Sequence, residues 1–113
     1  MNNTEPRDGF TVAPITATSV AEIDLAQLTG DGRFRYSPAP QDIVHDNTYR
    51  ASRAATALVG YCHSTGVLGT DPFWVFVGFL ADLYHLADGF GVDLRAAMGT
   101  AREHYTAEII GAN

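Results

Sequence analysis

A row of acidic and histidine side chains in the second half of the chain is the first feature whose residue types could do chemistry. Asp82, His85 and Asp88 are three residues apart, so on a helix they form one stripe. Carboxylates and imidazole bind divalent metals and transfer protons, and Glu103 and His104 would join the stripe if the next helix ran antiparallel. No ligand spacing such as His-Glu-x-x-His is present. We therefore favour a solvated edge of an apolar helix, with Asp82, His85 and Asp88 as the weak metal candidates.

Two aspartates of an earlier segment offer a second candidate metal site. Asp42 and Asp46 are one helical turn apart and, with Asp82, could form the carboxylate cluster that holds Mg²⁺ between the helices of a bundle. Arg50 and Arg53 follow on the next turn and are as suitable as a metal ion to neutralise the aspartates. We predict no catalytic residue, no metal and no cofactor.

The segment 86–94 has the alanine and turn glycine of a helix-turn-helix, four residues apart. Its second helix would present Arg95, Thr100 and Arg102 to DNA. A structural hairpin of two helices gives the same pattern, and we favour it because acidic residues stand beside these arginines. DNA regulation remains an alternative.

The overall charge narrows the classes of partner. The 113 residues include 13 acidic side chains against seven arginines and no lysine, for a formal net charge of −6. Such a surface repels phosphate, so nucleic-acid binding is disfavoured. Cys62 is the single cysteine, the start lacks the pattern of a secretory signal, and the longest apolar run, 73–81, falls short of a membrane span. We expect a cytoplasmic protein that does not contact a membrane.

The elements that must position these residues are helices behind a proline-rich arm. Residues 1–40 hold four of the five prolines, and segments 9–12 and 33–36 alternate as short strands do. A short helix is predicted over 19–29, from the capping-box spacing of Ser19 and Glu22.

Residues 41–113 are predicted to form a helical domain. Helices are expected at 41–63, 72–88 and 94–109, with Asp71 and Asp93 as N-caps and Gly91 after the second helix. The fold class is mainly α, either a three-helix bundle or a helical hairpin plus a helix. Cys62 lies in the apolar stripe of the first helix and is expected to be a buried thiol.

The most informative stretch is 73–80, which is apolar around two full helical turns. One neighbouring helix cannot cover such a segment, so it is either central in the bundle or buried by another chain. The predicted partner-binding residues are Phe73, Trp74, Phe76, Val77, Phe79 and Leu80.

Residues 80–108 resemble small helical proteins encoded by phages, prophages and plasmids of GC-rich bacteria. The pattern is roughly D-L-x-H-x-x-D-x-x-G-x-D, here 82–93, before a helix that ends H-Y-x-A-E, here 104–108. This resemblance implies no particular activity.

A second similarity is to all-α nucleotide pyrophosphohydrolases of the MazG type. It is carried by Ala81-Asp82 and by the run from Ala87-Asp88 to Leu94. It implies Mg²⁺-dependent hydrolysis of nucleotides. The chain departs from the family because Asp42 and Asp46 replace a glutamate pair and Gly78-Phe79 stands where a second-helix glutamate belongs.

The function predicted from these observations is that of a non-enzymatic helical interaction protein of phage or plasmid origin. Its partner is expected to be itself, as a homodimer, or a host protein. The alternatives are a degenerate MazG-like hydrolase and a helix-turn-helix regulator.

Overall fold

The regular structure of this protein is helical throughout the part that the computed structural model describes, residues 9–112. This confirms the predicted fold class, whereas the described segments 9–12 and 33–36 are not strands. The expectation about a secretory signal concerns residues outside this range. In chain order the elements are a 3-10 turn at Val20–Glu22 and the helices α1 (Leu25–Thr29), α2 (Pro40–Thr65), α3 (Pro72–Phe90) and α4 (Leu94–Ile109).

The predicted ends of the long helices are confirmed to within two residues, because local chemistry sets them. The Asp71 carboxylate accepts a hydrogen bond from the Phe73 amide at 2.9 Å, and Asp93 accepts one from the Ala96 amide at 3.1 Å. Gly91 closes α3 with a φ of 70°, a conformation that costs glycine little.

The single helix predicted over 19–29 is wrong. Ser19 makes no capping hydrogen bond with its side chain, and its hydroxyl instead donates to the Glu22 carboxylate at 3.0 Å. The chain becomes extended at Ile23, where the side chain packs against the core, and then restarts as α1. Asp24 caps this second start by accepting from the Gln27 amide at 3.3 Å. Packing of Ile23 thus replaces a continuous helix with two short ones.

The central helix is α2, against which the arm, α3 and α4 all pack. Its predicted apolar stripe is confirmed where Ala55 and Cys62 are buried. Cys62 has 0% exposure and forms the core cluster with Val20 of the arm and Val75 of α3. The thiol therefore fills space in the core, as expected.

The helices α3 and α4 diverge from each other, with a bend of 116° between them. α4 reaches α2 through its last turn, where the Asn47 side-chain amide donates to the Glu108 carbonyl at 3.2 Å and Arg50 pairs with the Glu108 carboxylate at 3.3 Å. Residues 95–106 of α4 are exposed. Within residues 9–112 no single helix has the length and apolar composition to cross a membrane. In this range, only α3 and α4 taken together, as a bent pair, reach that length and composition.

Candidate interaction surface

The most apolar segment of the chain lies largely at its surface. Phe73, Trp74 and Phe76 are 63%, 62% and 54% exposed. The Phe73 and Trp74 rings contact each other edge to face, with centroids 5.0 Å apart. Val77 is also exposed and Leu80 is half-buried. We call Phe73, Trp74, Phe76, Val77 and Leu80 the α3 apolar surface.

The opposite face of α3 packs on α2. Val75 is buried, and the Phe79 ring meets the Tyr61 ring edge to face at 5.2 Å. Phe79, predicted as a partner-binding residue, thus lies in the packing between two helices of the same chain. Because α3 contacts its own chain through one face, it does not occupy the centre of the fold.

Exposed apolar side chains continue beyond this surface. Tyr84 and Leu86 of α3 and Met98 of α4 are all exposed. Monomeric soluble proteins rarely expose a contiguous apolar patch larger than about 300–600 Å². We therefore take the α3 apolar surface as the candidate surface for binding another molecule.

An apolar cleft opens beside the first turns of α3, between the arm and the middle of α2. Its volume is about 330 Å³, and no charged residue lines it. This lies within the range of about 300–1,000 Å³ that is typical of binding pockets. We call it the apolar cleft; its lining residues are Ile15, Ala17, Ser19, Val20, Ile23, Ala51, Ala54, Ala55, Leu58, Pro72 and Phe76.

Asp82, His85 and Asp88 are all exposed along α3, and Asp82 has a partner on α2. Asp82 turns to α2 and accepts a hydrogen bond from the Tyr61 hydroxyl at 2.7 Å. His85 and Asp88 are exposed. Among residues 9–112, no group of three or more His, Cys, Asp and Glu side chains is placed to share a metal ion. The geometry gives Asp82 a structural partner on α2.

The hydrogen bond between Tyr61 and Asp82 leads to a prediction for alkaline pH. It raises the pKa of the Tyr61 phenol, chiefly because the neutral hydroxyl donates to the Asp82 carboxylate. The pKa of Tyr61 is higher in the folded chain than in the unfolded chain, so the hydrogen bond stabilises the fold fully below pH about 10, the ordinary pKa of tyrosine. This stabilisation is lost as the pH rises through the raised pKa of Tyr61. Titration of tyrosinate absorbance should show one of the five tyrosines ionising late in the wild type and earlier in Asp82→Ala. The exposed Asp88→Ala is the control and should leave the titration unchanged.

The two aspartates of α2 have separate roles. Asp46 is only 5% exposed, and its carboxylate accepts hydrogen bonds from the backbone amides of Arg35 and Tyr36, both at 2.9 Å. Asp42 forms a salt bridge with Arg35 at 3.0 Å. The pKa of Asp42 is lowered, first by the Ser37 hydroxyl and then by Arg35. Asp42, Asp46 and Asp82, the three aspartates considered as a candidate Mg²⁺ cluster, are thus each engaged with groups of this chain.

Among the described residues, neither Arg50 nor Arg53 forms a salt bridge with Asp42 or Asp46. Arg50 donates to the Asn47 side chain at 3.0 Å and pairs with Glu108. The Arg53 guanidinium lies over the Phe34 ring, 4.8 Å from its centroid. The oxygens of Asp46 accept backbone amides of the arm, so these arginines bind elsewhere.

The residues proposed for DNA contact are on the exposed part of α4. Arg95, Thr100 and Arg102 are all exposed. The bend of 116° before α4 lies within the range of about 90–120° found in helix-turn-helix motifs. The acidic Glu103 stands next to Arg102, and Asp93 lies two residues before Arg95. The turn thus agrees with the motif, but the helix lacks a continuous basic stripe.

The apolar cleft and the hold of Asp46 on the arm were not predicted from the sequence. Both join segments that are distant along the chain, as where Asp46 accepts from the backbone amides of Arg35 and Tyr36. Helical periodicity reports which residues share a face, and it carries no signal for such pairings. The one signal for these pairings in the sequence was that polar residues, among them Asp46, Asn47 and Ser52, fall on the face of α2 that is buried.

Comparison with family models, with curated proteins and with solved structures finds no match for this chain. Its functional interpretation therefore depends on the exposed surface and on the side chains around it.

Proposed function

We propose that this chain is a non-enzymatic interaction protein, of phage or plasmid origin and acting in the cytoplasm, that buries the α3 apolar surface against another polypeptide. The partner is a second copy of the chain or a host protein. The observation that carries the proposal is that Phe73, Trp74 and Phe76, in the most apolar segment of the sequence, are each more than half exposed. The likeness of residues 80–108 to proteins of mobile elements supports the origin.

The size of the exposed surface supports the same proposal. An aromatic side chain buries roughly 200 Å², so the exposed parts of Phe73, Trp74 and Phe76 amount to about 350 Å². At about 25 cal/mol per Å², covering them contributes roughly 9 kcal/mol. Association costs about 4–15 kcal/mol in lost freedom of motion. Covering Val77 and Leu80 in the same interface brings the total towards stable binding.

The exposed length of α4 is a second feature that another chain would explain. Helices in proteins gain most of their stability from packing an amphipathic face, and isolated helices of about 12–15 residues are marginal in water. Residues 95–106 are exposed, including Met98. A second chain packed along α4 would supply the tertiary contacts that this part of the helix lacks.

The engagement of the acidic residues favours this proposal over nucleotide hydrolysis. A hydrolase of the MazG type needs carboxylates from two helices on one metal. Asp46 instead binds backbone amides of the arm, Asp42 pairs with Arg35, and Asp82 accepts from Tyr61.

The proposal is tested by light scattering on the purified chain over a range of concentrations, and by a pull-down with the chain from extract of the native host. The expected result is a mass that rises above the 12.2 kDa of one chain. A mass of 12.2 kDa at every concentration, with nothing retained from the extract, would contradict the proposal.

A further inference from the structure

We propose that the partner is a second copy of this chain, and that the Phe73 and Trp74 rings of each copy enter the apolar cleft of the other. This inference depends on the proposed function and adds the partner and the contact. Its basis is that Phe76, which lines the cleft, is a helical neighbour of Phe73, whose ring contacts that of Trp74.

The placement of the two features meets the requirement of a two-fold interface. In such an interface the same patch serves both copies, so a protruding group and the cavity that receives it must lie side by side on each chain. Phe76 lines the cleft, and Phe73 lies three residues before it on the same side of α3, with the Trp74 ring against the Phe73 ring at 5.0 Å. When two copies meet at this point, each presents a ring pair and a cleft to the other.

The chemistry of the cleft fits an aromatic group. Its lining of Ala, Ile, Val, Leu, Pro and Phe side chains has Ser19 as its one polar member and no charge, so a charged occupant would lose its hydration without compensation. A volume of about 330 Å³ is that of a pocket for a compact organic group. The edge-to-face contact at 5.0 Å makes Phe73 and Trp74 one protruding unit.

The exposed area favours a second copy over a small molecule. Stable complexes bury about 800 Å² on each partner. The aromatic side chains of the α3 apolar surface supply nearly half of this on each copy, at roughly 200 Å² per fully exposed ring. A small molecule in the cleft would leave Phe73 and Trp74 exposed, whereas a second copy covers the rings and fills the cleft together.

A pair of complementary variants tests the contact. Ala54 is exposed and lines the cleft, so Ala54→Phe should fill the cleft without disturbing the fold. Trp74→Ala removes the larger of the two rings. Each variant alone is expected to dimerise at least about 30-fold more weakly than the wild type, the loss typical of an interface hot spot. Ala57→Phe is the matched control, because Ala57 is an exposed alanine of α2 outside the cleft and should leave dimerisation unchanged.

The mixture of the two variants is the decisive measurement. Trp74 is the only tryptophan, so in the mixture all tryptophan emission comes from the Ala54→Phe chain. That chain keeps its ring pair, and the Trp74→Ala chain keeps an open cleft. Adding the second to the first should shift the emission to shorter wavelength and reduce quenching by iodide, because one of the two symmetric contacts is restored.

Two results would overturn the inference, and they bear differently on the proposed function. If the wild type dimerises and Trp74→Ala weakens the dimer while Ala54→Phe does not, the cleft is not the receptor, and the proposed function stands. If the wild type is a monomer with Trp74 open to iodide at every concentration, the second copy is not the partner. The proposed function then survives only where the α3 apolar surface binds another protein in a Trp74-dependent manner. Circular dichroism shows whether each variant is folded.

Discussion

A Trp74→Glu protein is expected to remain folded and to lose its assembly. Trp74 is 62% exposed, so a carboxylate at this position can stay hydrated in the free chain. In the assembled state the same carboxylate would be buried without a partner, which costs several kcal/mol. We expect the dissociation constant of the assembly to rise by at least about 100-fold, since loss of a tryptophan hot spot and burial of a charge add. Light scattering measures the assembly, and urea unfolding in dilute solution measures the fold.

The matched control for this change is Phe90→Glu. Phe90 is exposed at the far end of α3 and is outside the α3 apolar surface. The same replacement there should leave the assembly close to that of the wild type. If Trp74→Glu instead lowers the free energy of unfolding by several kcal/mol, Trp74 is covered by its own domain and the interaction proposal fails.

Removal of the Asp46 side chain is expected to be the most destabilising single change among the polar residues. In Asp46→Ala the backbone amides of Arg35 and Tyr36 lose the carboxylate that accepts from both. Hydrogen bonds to a charged group contribute about 1.5–3 kcal/mol each, so the free energy of unfolding should fall by about 2–4 kcal/mol. Urea unfolding followed by circular dichroism measures this loss.

Asp42→Ala provides the comparison one turn away on the same helix. Asp42 pairs with the side chain of Arg35 at the surface, where solvent screens the interaction, so this change should reduce stability far less than Asp46→Ala. Equal losses from the two changes would show that the hydrogen bonds of Asp46 to the arm do not contribute as the geometry indicates.

The long helices could be predicted because the residues that begin and end them act on backbone groups only a few positions away in the sequence. Asp71 and Asp93 cap by bonding amides two and three residues on, and Gly91 takes a left-handed turn that few other residues accept. The exposure of the apolar run was left open by the sequence. A helix that is apolar on every side fits equally well in the centre of a bundle or in an interface, and only the packing on α2 decides.

The side-chain partners could not be predicted in the same way. Spacing places Arg50 one turn from Asp46, but it does not reveal that the arm returns to offer its backbone amides to that carboxylate. The carboxylate of Asp46 accepts from two backbone amides of the arm, and Arg50 pairs with Glu108. The capping box at Ser19 failed for a similar reason, because Ile23 packs against the core and interrupts the helix there.

The attachment of α4 through its last turn has a consequence for folding. With residues 95–106 exposed, little tertiary packing supports the middle of the helix, and a segment of this kind can open without unfolding of α2. In a dimer that covers α4, the ordering of this helix and the meeting of two chains become one equilibrium. The helical content would then depend on protein concentration. The free energy of folding would depend on protein concentration as well.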